Sequence, residues 1–118
     1  MFHPTPFEQL ARLPSPGDNV AIATRRVERS TEVEHNGDSF CLSHAVLEGH
    51  RFAHAPIARG EELLSWGLPF GVATRDISPG EYVCNEKIIR ALKGRNVDFA
   101  LPEEHNFEDC IRQYVLMK

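Results

Sequence analysis

Between residues 49 and 87 apolar and polar positions alternate in short runs, each cut by a Gly or Pro turn. One pattern recurs at a fixed offset. Phe52-Ala53, Ile57, Gly60-Glu61 and Leu63 match Val72-Ala73, Ile77, Gly80-Glu81 and Val83. A weaker copy lies upstream in Ile22-Ala23, Val27, Ser30-Thr31 and Val33. Period-2 alternation marks a half-buried strand. Gly suits the turns because, lacking a Cβ, it reaches positive φ without a clash. Each copy reads as strand, turn, strand, and the chain as a small all-β domain built from repeated hairpin-like units.

The same reading places the other elements. Residues 7–13 predict a short helix, with Thr5 as N-cap and Pro6 at the first helical position, ended by the turn cluster at 14–18. Strands are expected over 19–26, 31–35, 39–42, 51–54, 61–65, 71–75 and 82–85. Asn36-Gly37 supplies a tight turn. Ile88, Ile89 and Leu92 recur at helical spacing, so a helix is expected over 86–93, N-capped by Asn85 and closed by Gly94. The tail holds a second helix candidate, starting at Asn106 or Glu108 and carrying Ile111, Tyr114 and Val115. The alternative is an extended arm anchored by Phe99, Leu101 and Phe107. The expected organisation is an N-terminal arm or short helix (1–16), a β domain (17–93) and a C-terminal extension (94–118).

Composition narrows the function. The chain has 118 residues, 42% of them apolar and 25% charged, as in an ordinary globular domain. Its net charge is -4 and it has no Lys/Arg run, so nucleic acid is not an expected partner. Cys41, Cys84 and Cys110 are an odd count without CxxC spacing, which points to reduced thiols and a cytoplasmic protein. The first residues lack the basic and apolar regions of a signal peptide. No apolar run approaches the roughly 20 residues of a membrane span. No Ser/His/Asp order, phosphate loop or HExxH pattern marks a complete active site.

An ordered set of short motifs resembles a known family. The set comprises Gly49-His50-Arg51-Phe52-Ala53, Ile57-Ala58-Arg59-Gly60-Glu61, Trp66-Gly67-Leu68-Pro69-Phe70-Gly71, Ala73-Thr74, Asp76-Ile77, and Gly80-Glu81-Tyr82-Val83-Cys84-Asn85-Glu86-Lys87. Asp18-Asn19-Val20-Ala21 matches the opening strand. Over residues 17–88 the chain resembles the SAF domain at the N-terminus of altronate and galactarate dehydratases, also called altronate hydrolases. The resemblance implies a β-clip fold, to which the spacing at 7–13 and 86–93 adds short flanking helices. It also implies a place in a carbon–oxygen hydro-lyase, which removes water from a sugar acid to give a 2-keto-3-deoxy acid. In that family a much longer C-terminal domain carries most of the catalytic apparatus. This chain would then be a small subunit or N-terminal domain, inactive alone, with a larger dehydratase chain and a sugar acid as partners and a homo-oligomer as a compatible state.

The candidate site follows from the family positions. The family has Val-His-x-His-Asn where this chain has Val83-Cys84-Asn85-Glu86-Lys87. Arg51 replaces a Lys, and Trp66 a Tyr. Cys84 and Glu86 are the catalytic candidates: alternation would put both on one side of a strand, and a thiol and a carboxylate can both bind a metal or handle protons. His50, Arg51, Trp66, Arg75 and Asn85 are the candidates for contacting substrate or partner. Arg suits a carboxylate because its fork bonds both oxygens, and Trp is a frequent interface anchor. His44 and His54 lack further ligands at metal spacing and read as structural. No cofactor is expected on this chain alone; a divalent iron, manganese or magnesium ion is compatible with the full complex, where the larger partner would supply most ligands. The alternative function is a stand-alone β-clip module for binding or assembly, without catalysis, which the replaced histidines favour.

Overall fold

The computed structural model describes residues 4–110. Within them nine strands, β1 (Thr5–Pro6), β2 (Ala11–Arg12), β3 (Val20–Ala23), β4 (Glu32–His35), β5 (Asp38–Cys41), β6 (Arg51–Ala53), β7 (Glu62–Ser65), β8 (Leu68–Ala73) and β9 (Phe107–Asp109), accompany one α-helix, α1 (Glu86–Gly94). The strands form three small sheets, ordered β1-β4-β5, β2-β3-β6 and β7-β8-β9. The fold is all-β, of the β-clip type.

The repeat is larger than the sequence pattern alone suggests. A unit of about 30 residues occurs twice, each with a corner, a hairpin and a second corner. The corners are turns closed by backbone bonds from Thr31, His50, Glu61 and Glu81 to the carbonyls three residues back. Their third residues, Ser30, Gly49, Gly60 and Gly80, all have positive φ, between 69° and 94°. Positive φ at that place is the requirement of a type II turn. The corner at Gly49 is an additional copy that the sequence pattern did not reveal.

Corners pair within each unit by the same bonds. Val27 and Val46 exchange both backbone hydrogen bonds at 2.9 Å, and Ile57 and Ile77 do so at 2.9 and 2.7 Å. The Ser30 amide donates to the Leu42 carbonyl, and the Gly49 amide donates to the Ala23 carbonyl. In the second unit Gly60 donates to Ala73 and Gly80 to Ala53. The apolar residues at these crossings are fully buried, each worth about 1.5–3 kcal/mol of burial. The Glu of each Gly-Glu step braces its own corner: Glu61 and Glu81 accept the amides three residues back, of Ala58 and Ser78, at 2.7 Å.

Two cores result. β3 lies between them and serves both: Ala21 and Ala23 face the core around Phe52, and Val20 faces the core around Ile57 and Leu63. Loop geometry is fixed by buried polar side chains. Asp18 accepts the amides of Ser15, Trp66 and Gly67 at 2.9–3.0 Å. Buried Asn106 accepts from the Cys84 amide and donates to the Tyr82 carbonyl.

Several expectations change. The N-terminal helix is a single 3-10 turn over Phe7–Gln9, because Ala11–Arg12 leaves it to pair with β3. The run at 82–85 is a strand only at one isolated bridge, Phe52 with Tyr82. The tail at Phe107–Asp109 is not helical but pairs with β8, with Phe107 buried, as the extended-arm alternative expected. Ile111, Tyr114 and Val115 lie outside the described residues. Asn85 caps α1 as expected, accepting the Ile88 amide at 2.8 Å. Gly94 does not close it; the helix includes Gly94 and the positive φ falls on Asn96. The described cysteines are all free thiols. Among the described residues no helix is long and apolar enough to cross a membrane.

Candidate functional site

The corner at Gly49 departs from the others at its fourth residue. Thr31, Glu61 and Glu81 turn their side chains back onto their own corners. His50 instead sends its ring to Tyr82, with Nδ1 2.6 Å from the phenolic oxygen and the rings stacked at 5.9 Å. Burial, then the nearby Arg95 and Arg51 cations, hold the His50 imidazole below its usual pKa. Burial pushes the Tyr82 phenol far up, so it stays protonated.

His50 opens into a cavity of about 350 Å³ that Arg51, Phe70, Asn85, Phe107 and Asp109 also line. That volume suits a small ligand. Arg51 is half-buried at the first position of β6. Its Nε donates to Ser65 Oγ at 3.1 Å, and its guanidinium lies 5.4 Å over the Phe70 ring. Its terminal nitrogens meet no acceptor among the described residues. Burial lowers its pKa, yet a guanidinium remains charged. Asn85 is committed elsewhere, to α1 through Oδ1 and to Asp109 through Nδ2 at 2.7 Å. Its contribution is to fix Asp109 at the rim.

The structure does not bring Cys84 and Glu86 together. The chain enters α1 between them, which breaks the alternation. Cys84 is fully buried in the Phe52 core, and burial pushes its thiol up to about 11. A thiol that stays protonated in the core is poorly placed as a ligand or nucleophile. Glu86 is 76% exposed, 3.8 Å from Arg90, along a neighbouring groove. Arg75 pairs with Glu81 at 2.9 Å and borders a different groove, with Arg29 and His44. His54 is bound to the Asp18 carbonyl at 2.6 Å. Among the described residues no three His, Cys, Asp or Glu side chains converge as a metal site.

Trp66 sits beside the cavity, on a groove with Arg51, Leu68 and Phe70. It is 55% exposed and Leu68 62%, the large apolar side chains most open to solvent among the described residues. Trp66 occupies the place that Asn36 holds in the first unit, ahead of a Gly, and has φ 59°. Asn tolerates that region; a bulky residue there costs about 1 kcal/mol. The Arg12 guanidinium, 5.0 Å over the indole, offsets part of the cost. Trp66 is thus both exposed and held at positive φ. Trp66→Asn is expected to leave thermal stability unchanged or raised by up to about 1 kcal/mol. A clear fall in Tm would show that the indole serves the fold instead.

Sequence reasoning singles out His50 and Arg51 but misses Ser65, Phe70, Tyr82 and Asp109. The usable signal is positional: His50 breaks the Thr/Glu rule of the corners. Asp109 carries none, since it reaches the cavity only through β8–β9 pairing.

Known proteins resemble this chain in sequence. The altronate/galactarate dehydratase SAF domain family matches residues 12–91. Over 66 residues the chain is 39% identical to altronate dehydratase of Escherichia coli K12 and 30% identical to altronate dehydratase of Bacillus subtilis 168. Each alignment covers 56% of this chain and 13% of the relative, so the chain spans a small part of the curated proteins it matches. The chain belongs to the altronate/galactarate dehydratase SAF domain family.

Proposed function

We propose that the chain is the SAF component of a sugar-acid dehydratase and works with a larger catalytic chain. The observation that carries this is the half-buried Arg51, anchored by Ser65 and Phe70, with its outer nitrogens unpaired among the described residues beside a ligand-sized cavity. A guanidinium fork matches a carboxylate in two parallel bonds. Asp109 across the same cavity accepts hydroxyl hydrogens. A cation and an acceptor on one cavity suit a polyhydroxy acid. The Trp66–Leu68 hairpin tip beside it is the surface for the larger chain, with Trp66 as the anchor that docking buries.

The test is co-expression with a large dehydratase chain, followed by turnover on hexonates and aldarates. The isolated chain is expected to show no turnover and the complex to show it, with Trp66→Asn weakening the complex. Turnover by the isolated chain, or a complex equally active without it, would overturn the proposal. A second reading, a binding or assembly module, is favoured by Cys84: a core thiol stands where the family has a histidine. It expects the complex to form with turnover unchanged.

A further inference from the structure

We infer that Tyr82 is a positioning residue: it donates its phenolic hydrogen to Nδ1 of His50, fixing a neutral imidazole that presents Nε2–H to the cavity as a hydrogen-bond donor. His50 is then not a proton acceptor for substrate.

The direction of the 2.6 Å bond follows from hydrogen counting. Tyr82 is 3% exposed, and its hydroxyl has His50 as its sole partner among the described residues. Were His50 to donate from Nδ1, the phenolic hydrogen would be buried without an acceptor, an unfavourable arrangement. With the phenol donating, Nδ1 must be bare, and a neutral ring then carries its hydrogen on Nε2. Protonating the ring would force the rejected arrangement, since both nitrogens would then donate.

The surroundings point the same way. Tyr82 is held against β6 by its bridge to Phe52, and the Val83 amide donates to the Arg51 carbonyl at 3.1 Å. The ring itself is held by packing, buried in the core around Phe52. The charged groups facing His50 are Arg51 and Arg95, which oppose a cation, while Asp109 on the cavity wall is bound to Asn85. His50 and Arg51 then form a paired donor set on adjacent residues of one corner. The inference deepens the proposed function and rests on it for the ligand: the cavity binds and polarises oxygens of an acid, and His50 is not the base that takes a carbon-bound proton.

The experiment is nitrogen-15 NMR of the full chain labelled at histidine, with His50→Gln used to assign the His50 ring. Near neutral pH, Nδ1 is expected at the shift of an unprotonated nitrogen and Nε2 at that of a protonated one. The reverse pattern, or two protonated nitrogens, overturns the inference. Tyr82→Phe is expected to move the ring to mixed tautomers or to partial protonation; an unchanged spectrum in the folded variant also overturns it. Should that variant unfold, the parent spectrum alone decides. None of these readings uses a substrate or partner, so a failed co-expression would leave this result standing, and a reversed tautomer would leave the Arg51 reading standing.

Discussion

Gly80→Ala is expected to lower the stability of the domain by more than about 3 kcal/mol, and the same change at Gly60 by about 1–2 kcal/mol. Both glycines have positive φ, 94° and 89°. A Cβ at either incurs the left-handed strain. At Gly60 nothing lies within 4 Å of that Cβ. At Gly80 it would overlap the Cys41 carbonyl oxygen, with Phe40 Cδ1 a further 3.1 Å contact. The obstacle is backbone, so no rotamer change removes it. The segment resists shifting, because the Gly80 amide donates to the Ala53 carbonyl at 2.7 Å and its own carbonyl accepts the Ser43 amide at 2.9 Å. The second of those bonds joins the two units. Urea unfolding of the paired variants measures the difference; equal losses at both glycines would show that the contact between units is looser than described.

The corners also explain what is legible in the sequence. A turn that needs positive φ leaves a mark, so Gly60, Gly80 and even Ser30 stand out in the repeat. Gly49 does not, because its corner carries His50 in place of a Glu or Thr, and that exception lines the cavity. Short-range rules fail where the partner is distant. Ala11–Arg12 has helical neighbours but finds β3, and Phe107–Asp109, where the tail's helix candidate would start, finds the β8 edge. Tertiary pairing overrides weak local preference in both. For Cys84 and Glu86 the period changes between them, and strand alternation does not survive the start of a helix. The family positions identify a neighbourhood, and packing decides which side chains within it face a cavity.

Arg51→Ala is expected to reduce kcat/KM of the complex on a sugar acid by about 30-fold or more, corresponding to the roughly 2–5 kcal/mol lost when one member of a desolvated charge pair is removed. Domain stability should fall by no more than about 2 kcal/mol, since what is lost is one partly buried hydrogen bond to Ser65 and one ring contact with Phe70. Arg51→Lys keeps the charge but not the fork, nor the flat stacking over Phe70. It should recover only a small part of the rate. Ser65→Ala frees the guanidinium to pivot while leaving its charge, so its effect should lie between those of the parent and Arg51→Ala. Glu86→Ala is the contrasting change. Its exposed carboxylate lies on the adjacent groove, and its loss should cost the least. Steady-state kinetics of the complex, with calorimetric affinity between the chains, separates a substrate contact from a docking contact. A raised KM with unchanged affinity places the carboxylate on Arg51; lost affinity places the larger chain there. If Arg51→Ala matches the parent in both measurements, the binding site lies elsewhere, and the assembly-module reading gains.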